Sequence, residues 1–337
     1  MSRFPITKTP TLATYVSVLR TIGAPVDAGL RRARLPTLFE EIPDAWISYE
    51  RLRCFTADLA VREGIPELGL IPGSSSLDRG LCRALLEPIL AAPTLFRALQ
   101  AIPSLTSRQT PDVRFWTELA GDQVHACLLL PLPPEVPGYA IGETRTLGVI
   151  ENIIRAFVGR DFVPARVLLA SCPRDLNFSL ESAYGGVPVR TGRPYGAIEF
   201  PRTLLGATRI TAGPCPADAE DCGDADGPPT TLSETLEACL AVYLLEGYPH
   251  AALAAEIAGC GMRTLQRRLA KEGNTYGQIV DRVRCRVATS QLQAGDVPLQ
   301  ELSQRLGYSE QSAFTRAFQR WTGTSPSTYR ALAHTIE

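Results

Sequence analysis

Hydrophobic positions in the last hundred residues recur every three to four residues, which is typical of amphipathic helices. No stretch there alternates as a strand would, and Gly, Pro and Ser/Thr residues separate the periodic segments. The pattern predicts a compact all-α region. We predict seven short helices, at Leu232–Glu246, Ala251–Ala258, Arg263–Lys271, Tyr276–Gln293, Leu299–Arg305, Glu310–Trp321 and Pro326–Leu332.

The first two hundred residues mix helical and alternating patterns. Val113–Leu119 and Val124–Leu130 are apolar-rich and flank a Gly-Asp turn, which predicts a β-hairpin. Further short strands are predicted at Val167–Ala170 and Ala197–Phe200. Helices are predicted at Thr11–Ile22, Ser48–Glu63, Leu77–Leu90, Thr94–Ile102 and Gly142–Gly159. This combination predicts an α+β domain with a small sheet.

Thr211–Thr231 breaks the chain between these two regions. The segment, TAGPCPADAEDCGDADGPPTT, holds five acidic residues, no basic residue and no periodic apolar pattern. Such composition predicts a solvated, flexible linker. We therefore expect an N-terminal domain at 1–210, an acidic linker at 211–231 and a C-terminal domain at 232–337.

Composition excludes several classes of protein. The chain is 45% hydrophobic and 20% charged, as globular proteins are. Its apolar runs are far shorter than the roughly 20 residues of a membrane span. The first ten residues lack the apolar core of a secretory signal. We expect a cytoplasmic protein with no membrane partner.

Cysteine and histidine usage favours neither a metal site nor an enzyme. The nine cysteines include no CxxC pair, and the nearest pair, Cys215 and Cys222, has no histidine nearby. Free thiols are therefore favoured over structural zinc. His125 lies in an apolar run, which favours a core role over a catalytic one. GxSxG, HExxH and nucleotide-binding glycine motifs are absent, so we predict no catalytic residues, metal or cofactor.

Charge is segregated along the chain although the net charge is only −1. Residues 263–330 hold eleven basic and five acidic residues, a local charge of +6 that leaves −7 on the remainder. A basic segment on an acidic body is typical of a nucleic-acid-binding module.

Two helix-turn-helix patterns, 48 residues apart, lie in the all-α region that contains this basic segment. Each has a small residue where two helices cross, a glycine in the turn and an apolar residue in the second helix. The residues are Ala255, Gly259 and Leu265 in the first unit, and Ser303, Gly307 and Phe314 in the second.

The second helix of each unit is amphipathic, and its polar face carries Arg and Gln. These side chains make bidentate contacts to guanine and adenine in the major groove. The predicted apolar faces are Met262, Leu265 and Leu269, and Phe314, Ala317, Phe318 and Trp321. Ser309 is expected to cap the second of these helices. The alternative is that the polar faces are merely solvated, but their occurrence in both helices favours DNA reading.

Residues 250–330 resemble the DNA-binding domain of AraC/XylS-type transcriptional regulators. The resemblance is carried by LGYSEQSAFTRAFQRWTGTSPSTYR at Leu306–Arg330 and RTLQRRLAKEG at Arg263–Gly273, followed by Arg284 and Ala288. The chain has Gly261 where family members usually place a helix-capping Ser. Gly as an N-cap costs only a few tenths of a kcal/mol.

The resemblance implies a DNA-reading geometry. Helix Tyr276–Gln293 would hold the two units about one helical turn apart, so that both recognition helices enter adjacent major grooves. Carried over by position, base contacts fall on Arg263, Gln266, Arg267, Gln311, Ser312, Thr315 and Arg316. Phosphate contacts fall on Arg268 and Arg320. The partners implied are double-stranded operator DNA, a second copy of the chain and, for an activator, RNA polymerase.

Gly80–Phe200, with APTLFRAL and PYGAIEF, resembles the arabinose-binding-like N-terminal domain of one AraC subgroup. That subgroup includes ornithine- and fatty-acid-responsive regulators, and its domain is not a sugar-binding cupin. The resemblance implies an unidentified small-molecule effector and dimerisation. Trp46, Trp116 and Tyr195 are pocket candidates, although aromatic residues in such a domain more often belong to the core.

Three functions remain open at this point. The leading hypothesis is an effector-responsive regulator, an activator if it follows the commoner family role. The alternative is a ligand-independent DNA-binding regulator whose N-terminal domain serves only oligomerisation or protein contacts. An enzyme fused to a DNA-binding tail is weaker, because no cluster of acid, base or nucleophile supports it.

Overall fold

The computed structural model describes residues 3–42, 44–71, 83–172, 180–209, 227–247, 249–295 and 297–333. It contains two compact units. One comprises residues 5–33 and 49–228, and the other comprises residues 1–4, 34–48 and 229–337. The predicted fold class is confirmed, with an α+β N-terminal part and an all-helical C-terminal part holding two helix-turn-helix units.

Seven strands are present among the described residues. They are β1 Ile6–Lys8, β2 Trp46–Ser48, β3 Arg114–Ala120, β4 Gln123–Leu129, β5 Arg166–Leu168, β6 Val189–Arg190 and β7 Gly196–Pro201.

The same part of the chain contains fourteen α-helices. They are α1 Thr9–Thr21, α2 Val26–Ala33, α3 Tyr49–Arg62, α4 Arg83–Leu90, α5 Leu95–Thr106, α6 Tyr139–Val158, α7 Leu180–Ala183, α8 Leu232–Tyr243, α9 Ala251–Ile257, α10 Met262–Lys271, α11 Tyr276–Ala294, α12 Leu299–Arg305, α13 Gln311–Thr322 and α14 Pro326–Ala333. Short 3-10 turns lie at Phe39–Glu41, Arg202–Gly206 and Leu244–Glu246.

A five-stranded sheet forms the centre of the first unit, in the order β3-β4-β7-β5-β6. All neighbours are antiparallel except β5 and β6. The β3–β4 hairpin turns at Gly121, whose φ of +66° lies in the left-handed region. Its register pairs Phe115 with Leu128, and Val124 pairs with Phe200 of β7. The predicted hairpin is therefore confirmed, and the ends of both strands lie one residue from their predicted positions.

The two faces of this sheet differ because side chains alternate along each strand. Val124, Ala126 and Leu128 face the main core, which α5 and α6 cover. Cys127 packs with Trp116 on the other face.

Trp116 and Tyr195 stack edge-to-face on that outer face, with ring centroids 5.2 Å apart. Both donate hydrogen bonds to Glu118, at 2.7 and 2.6 Å. These hydrogen bonds hold the pKa of Glu118 below its usual range, and the one from Tyr195 has the larger effect. On the same part of the sheet, His125 Nε2 lies 3.0 Å from Glu199 Oε2.

Most other N-terminal helices lie within a few residues of prediction. Helix α5 continues to Thr106 although Pro103 follows the predicted end at Ile102. Thr106 Oγ1 donates to the Ile102 carbonyl at 2.8 Å, which holds this last turn. The predicted helix Leu77–Leu90 is described only from Arg83 onward. Five short elements (β1, β2, α2, β6 and α7) had no periodic pattern long enough to predict them.

All seven predicted C-terminal helices are present. The helix predicted at Leu232–Glu246 is observed as α8, which ends at Tyr243 and is followed by the 3-10 turn at Leu244–Glu246. The predicted linker lies largely outside the described residues, so the 211–231 boundary stays a prediction.

Residues 34–48 belong to the same compact unit as the C-terminal helices. Tyr243 Oη donates to the Arg34 carbonyl at 2.7 Å, and Arg34 Nε lies 2.9 Å from Glu256 Oε2. Glu246 Oε1 accepts from Thr37 Oγ1 at 2.7 Å and from the Leu38 amide at 2.9 Å. These contacts join a segment of the N-terminal sequence to the helical unit.

Glu143 on α6 is 1% exposed and ties the helix to the chain after β5. Its carboxylate accepts from the Ala170 amide at 2.7 Å, the Ser171 amide at 3.1 Å and Ser171 Oγ at 2.6 Å. Burial raises the pKa of this carboxyl above its usual range. Gly196 leaves the necessary space, because a Cβ there would lie 2.7 Å from Glu143 Oε1.

We expect Glu143→Ala to lower the free energy of unfolding by about 2–4 kcal/mol, because two buried amides lose their acceptor. Denaturant unfolding of the full chain measures the change. Glu135→Ala removes an exposed carboxylate and should change stability by no more than about 0.5 kcal/mol. Equal stability of the two variants would contradict the role given to Glu143.

Candidate nucleic-acid interface

The turns of the two helix-turn-helix units share one backbone conformation and one hydrogen-bond pattern. Gly259 and Gly307 follow α9 and α12 with φ of +63° and +76°. In the first turn the Cys260 amide donates to the Ala255 carbonyl at 2.9 Å, and in the second the Tyr308 amide donates to the Ser303 carbonyl at 3.0 Å. This six-to-one hydrogen bond around a left-handed glycine is the Schellman motif. Both glycines therefore occupy the turn positions predicted from their spacing.

The small and apolar residues of each pattern are buried. Ala255 and Leu265 are inaccessible in the first unit, and Ser303 and Phe314 are inaccessible in the second. Ser303 satisfies its hydroxyl by donating to the Gln300 carbonyl at 2.7 Å. Burial of these residues agrees with the packing that each pattern predicts.

Helix α10 presents Arg263, Gln266 and Arg267 to solvent. No hydrogen bond or ion pair holds these three side chains among the described residues. Met262 was expected on the apolar face but is 39% exposed, because it begins the helix beyond the packed turn. Gly261 is the N-cap residue and supplies no side-chain cap, as expected from the sequence.

Helix α13 presents Gln311, Ser312 and Arg316 to solvent, with Thr315 half-buried. Ser312 Oγ lies 3.1 Å from Glu310 Oε2, and Thr315 Oγ1 donates to the Gln311 carbonyl at 3.0 Å. Arg316 has no partner within the described chain.

Two expectations for the ends of α13 are corrected. The helix begins after Glu310, so Ser309 is not its N-cap, and the Glu310 side chain makes no capping bond. At the other end Trp321 is half-buried, because it lies in the last turn, beyond the fully buried Phe314, Ala317 and Phe318.

Several other arginines of the basic segment are already held by protein groups. Arg282 pairs with Glu237, and Arg305 pairs with Glu301. Arg320, expected at a phosphate, is 65% exposed and lies 3.1 Å from Asp281. Arg268, the other phosphate candidate, is half-buried. Part of the positive charge of residues 263–330 is therefore paired with carboxylates within the fold.

Arg284 on α11 supports the second turn. Its Nε donates to the Leu306 carbonyl at 2.9 Å, and Nη2 donates to the Gly307 carbonyl at 3.4 Å. The guanidinium also lies 4.4 Å from the centre of the Tyr308 ring, a cation–π contact. In the sequence, only the family resemblance singles out Arg284. A contact with a residue 22 positions further along the chain produces no local pattern that could predict it.

Glu272 joins the end of α10 to the start of α8. Its carboxylate accepts from the Leu232 and Ser233 amides at 3.1 and 2.9 Å, and from Ser233 Oγ at 2.7 Å. Asn274 Nδ2 donates to the same hydroxyl at 3.0 Å. The amides at the N-terminus of α8 thus find their acceptor at the end of α10.

Neither a membrane-spanning helix nor a cluster of metal-binding side chains occurs in the part of the chain that the structure describes.

Comparison with known proteins agrees with this geometry. Residues 254–332 match a helix-turn-helix domain family, and residues 23–208 match the arabinose-binding domain of AraC transcription regulators. The chain is 28% identical over 351 aligned positions to the HTH-type transcriptional regulator VirS of Mycobacterium tuberculosis, covering 94% of each chain.

Two shorter similarities involve Pseudomonas aeruginosa proteins. The HTH-type transcriptional regulator VqsM is 42% identical over 87 residues, which is 26% of this chain and 27% of that protein. An ornithine utilization regulator is 46% identical over 68 residues, 20% of each chain. The chain thus matches about a quarter of VqsM and nearly all of VirS.

The helix-turn-helix match, together with the match to the N-terminal domain of AraC regulators, defines a DNA-binding transcriptional regulator. Because the N-terminal match covers more than half of the residues, the chain belongs to the AraC family of transcription regulators. VqsM and VirS are both named as HTH-type transcriptional regulators.

We expect Arg284→Ala to lower the free energy of unfolding of the full chain by about 1–3 kcal/mol, because the second turn loses a charged hydrogen bond and a cation–π contact. Denaturant unfolding checks this. Arg305→Ala is the matched control, since it removes only an exposed ion pair worth about 0.3–0.5 kcal/mol. If the two variants lose the same stability, the anchoring role is wrong.

Proposed function

We propose that the chain is an effector-responsive regulator that reads operator DNA with α10 and α13 in adjacent major grooves. The observation that carries this proposal is that the arginines of the helical unit fall into two groups, those that are exposed without a protein partner and those that protein groups already hold. Arg263, Arg267 and Arg316 are exposed on equivalent second helices and have no partner in the described chain, whereas Arg282, Arg284 and other arginines nearby are held by protein groups.

The proposed roles follow from side-chain chemistry. Arg and Gln offer bidentate contacts to guanine and adenine, so Arg263, Gln266 and Arg267 are assigned to base edges in the first unit. Gln311, Ser312, Thr315 and Arg316 are assigned to base edges in the second. Arg268 and Arg320 are assigned to phosphates.

The proposed organisation assigns effector binding and dimerisation to residues 1–210, with a linker at 211–231 and DNA binding at 232–337. An effector acts only if it binds one arrangement of the protein more tightly than another. A homodimer gains affinity at tandem half-sites through effective concentration. As an activator, the protein would also contact RNA polymerase.

DNase footprinting of the full-length protein on its own upstream region and neighbouring promoters tests the proposal. Two recognition helices should protect about two helical turns per protomer, and protection should fall as salt rises. Protection of about one turn would contradict reading by both helices. Protection that responds to no small molecule would favour the ligand-independent alternative.

We expect Arg316→Ala to cost about 1–3 kcal/mol of specific binding and to relax sequence preference at the base it reads. Fluorescence anisotropy with the footprinted site measures the loss. Arg305→Ala, on α12, should leave affinity unchanged. An Arg316→Ala protein with wild-type affinity and preference would refute the base contact.

Arg320→Ala should weaken binding to specific and random DNA about equally, because phosphates carry no sequence information. The slope of log K against log salt should become shallower by about 1. Titrations at several salt concentrations give this slope. A slope identical to that of the wild type would remove Arg320 from the phosphate contacts.

A further inference from the structure

Strand β3 forms one edge of the five-stranded sheet, and no described strand pairs with its outer side. Its seven residues pair with β4 in continuous register, from Arg114 with Leu129 to Ala120 with Gln123. The strand contains no proline and no bulge, which are two devices that keep edge strands from pairing further. The edge at the other end of the sheet, β6, is only two residues long. Of the two edges described in this sheet, β3 is therefore the one that offers a template for another strand.

The hydrogen bonds of the sheet determine which backbone groups of β3 point outward. The Arg202 amide donates to the Asp122 carbonyl at 2.8 Å, one position beyond the β4–β7 ladder. Because bonded pairs alternate along antiparallel strands, the even-numbered residues of β4 bond to β7 and the odd-numbered ones bond to β3. Those odd-numbered residues lie opposite the even-numbered residues of β3. The N–H and C=O groups of Phe115, Thr117 and Leu119 therefore point to the open edge, where no described residue bonds them.

The side chains on β3 are complementary to themselves about Thr117. Antiparallel pairing of two copies around this residue places Thr117 opposite Thr117, and Leu119 opposite Phe115 of the second copy. Each of these pairs exchanges two N–H···O bonds, because both backbone groups of each residue point outward. Threonine pairs across strands are favourable. Leu119 is 61% exposed, so the pairing moves an apolar side chain out of water.

Charged side chains on the other face of β3 agree with the same pairing. Arg114 is exposed, and its guanidinium has no partner in the described chain. It would lie diagonal to Glu118 of the second copy, about 7–8 Å away and within reach of a long side chain. The two Glu118 carboxylates would also lie diagonal to each other, but each already accepts hydrogen bonds from Trp116 and Tyr195. The pairing thus forms two attractive contacts between charges for one repulsive contact.

We propose that two copies of the chain dimerise by pairing their β3 strands antiparallel about Thr117. This inference rests on the homodimer of the proposed function and assigns its interface. One continuous sheet would run through both protomers. Strand pairing alone buries less surface than the roughly 1,200–2,000 Å² of a stable interface, so we expect a Kd on the order of micromolar. Tandem half-sites on operator DNA would then assemble the dimer through effective concentration.

Sedimentation velocity of the full-length protein, at concentrations from well below to well above micromolar, tests this assignment. Thr117→Lys should raise the dimer Kd about tenfold or more, because two positive charges would lie directly opposite each other. Thr117→Glu should do the same with two negative charges. An equimolar mixture of the two variants should dimerise about as well as the wild type, because opposite charges then face each other. Only a register in which residue 117 faces itself allows this rescue.

A control and a second variant keep the test independent of folding. Thr21→Lys makes the same chemical change at an exposed position on α1 and should leave the dimer Kd unchanged. Leu119→Lys also alters an exposed side chain, and it should weaken the dimer because a charge would face Phe115. Melting temperatures show that each variant is folded. In the wild type the amides of Phe115, Thr117 and Leu119 should resist hydrogen exchange only at concentrations where the dimer forms.

The inference is overturned if the wild type stays monomeric at every concentration, or if the Thr117 variants dimerise as the wild type does. It is also overturned if the mixture shows no rescue, or if the same amides are protected in the monomer, which would mean that another part of the chain covers the edge. Footprinting separates this result from the proposed function. DNA protection without β3 pairing leaves the regulator standing and removes only the interface. A dimer that behaves as expected but protects no DNA removes the proposed function and leaves the interface.

Discussion

The left-handed backbone of Gly259 and Gly307 is the constraint on which the proposed DNA-reading surface depends. An L-residue with a side chain adopts this conformation only at a cost of about 1–2 kcal/mol, whereas glycine adopts it freely. In each turn the glycine directs the chain so that the following amide returns to the carbonyl of a small buried residue, Ala255 or Ser303. The second helix then packs its apolar residues on the first, and its Arg and Gln side chains face outward.

Packing around these turns also decides which arginine side chains remain exposed to solvent. Arg284 is held at the second turn and Arg282 pairs with Glu237, so part of the basic segment serves the fold itself. Arg263, Arg267 and Arg316 stay exposed. In the α+β unit, by contrast, Arg145 is buried, and its guanidinium carbon lies 5.5 Å from the centre of the Tyr15 ring. One residue type thus supplies a structural anchor, an outward polar face and an enclosed positive charge.

Much of the candidate interface was predictable because its determinants are local. Helical periodicity places Leu265 and Leu269 on one face and Arg263 and Arg267 on the other without knowledge of the rest of the chain. Where the prediction was wrong, the error lay at helix ends. Met262 is exposed and Ser309 does not cap α13, because the exact first residue of a helix depends on how the preceding turn packs.

By itself the sequence determined the elements whose signals repeat over several residues. These are the longer helices, the β3–β4 hairpin, the paired glycine turns and the charge segregation. The tertiary structure alone decided the contacts between distant segments. It brought Glu272 to the start of α8, Arg284 to the second turn, residues 34–48 to the helical unit and Tyr15 beside Arg145. The physical reason is that periodicity and turn chemistry act between neighbours along the chain. Burial and hydrogen bonding between distant segments depend on the positions of many side chains at once.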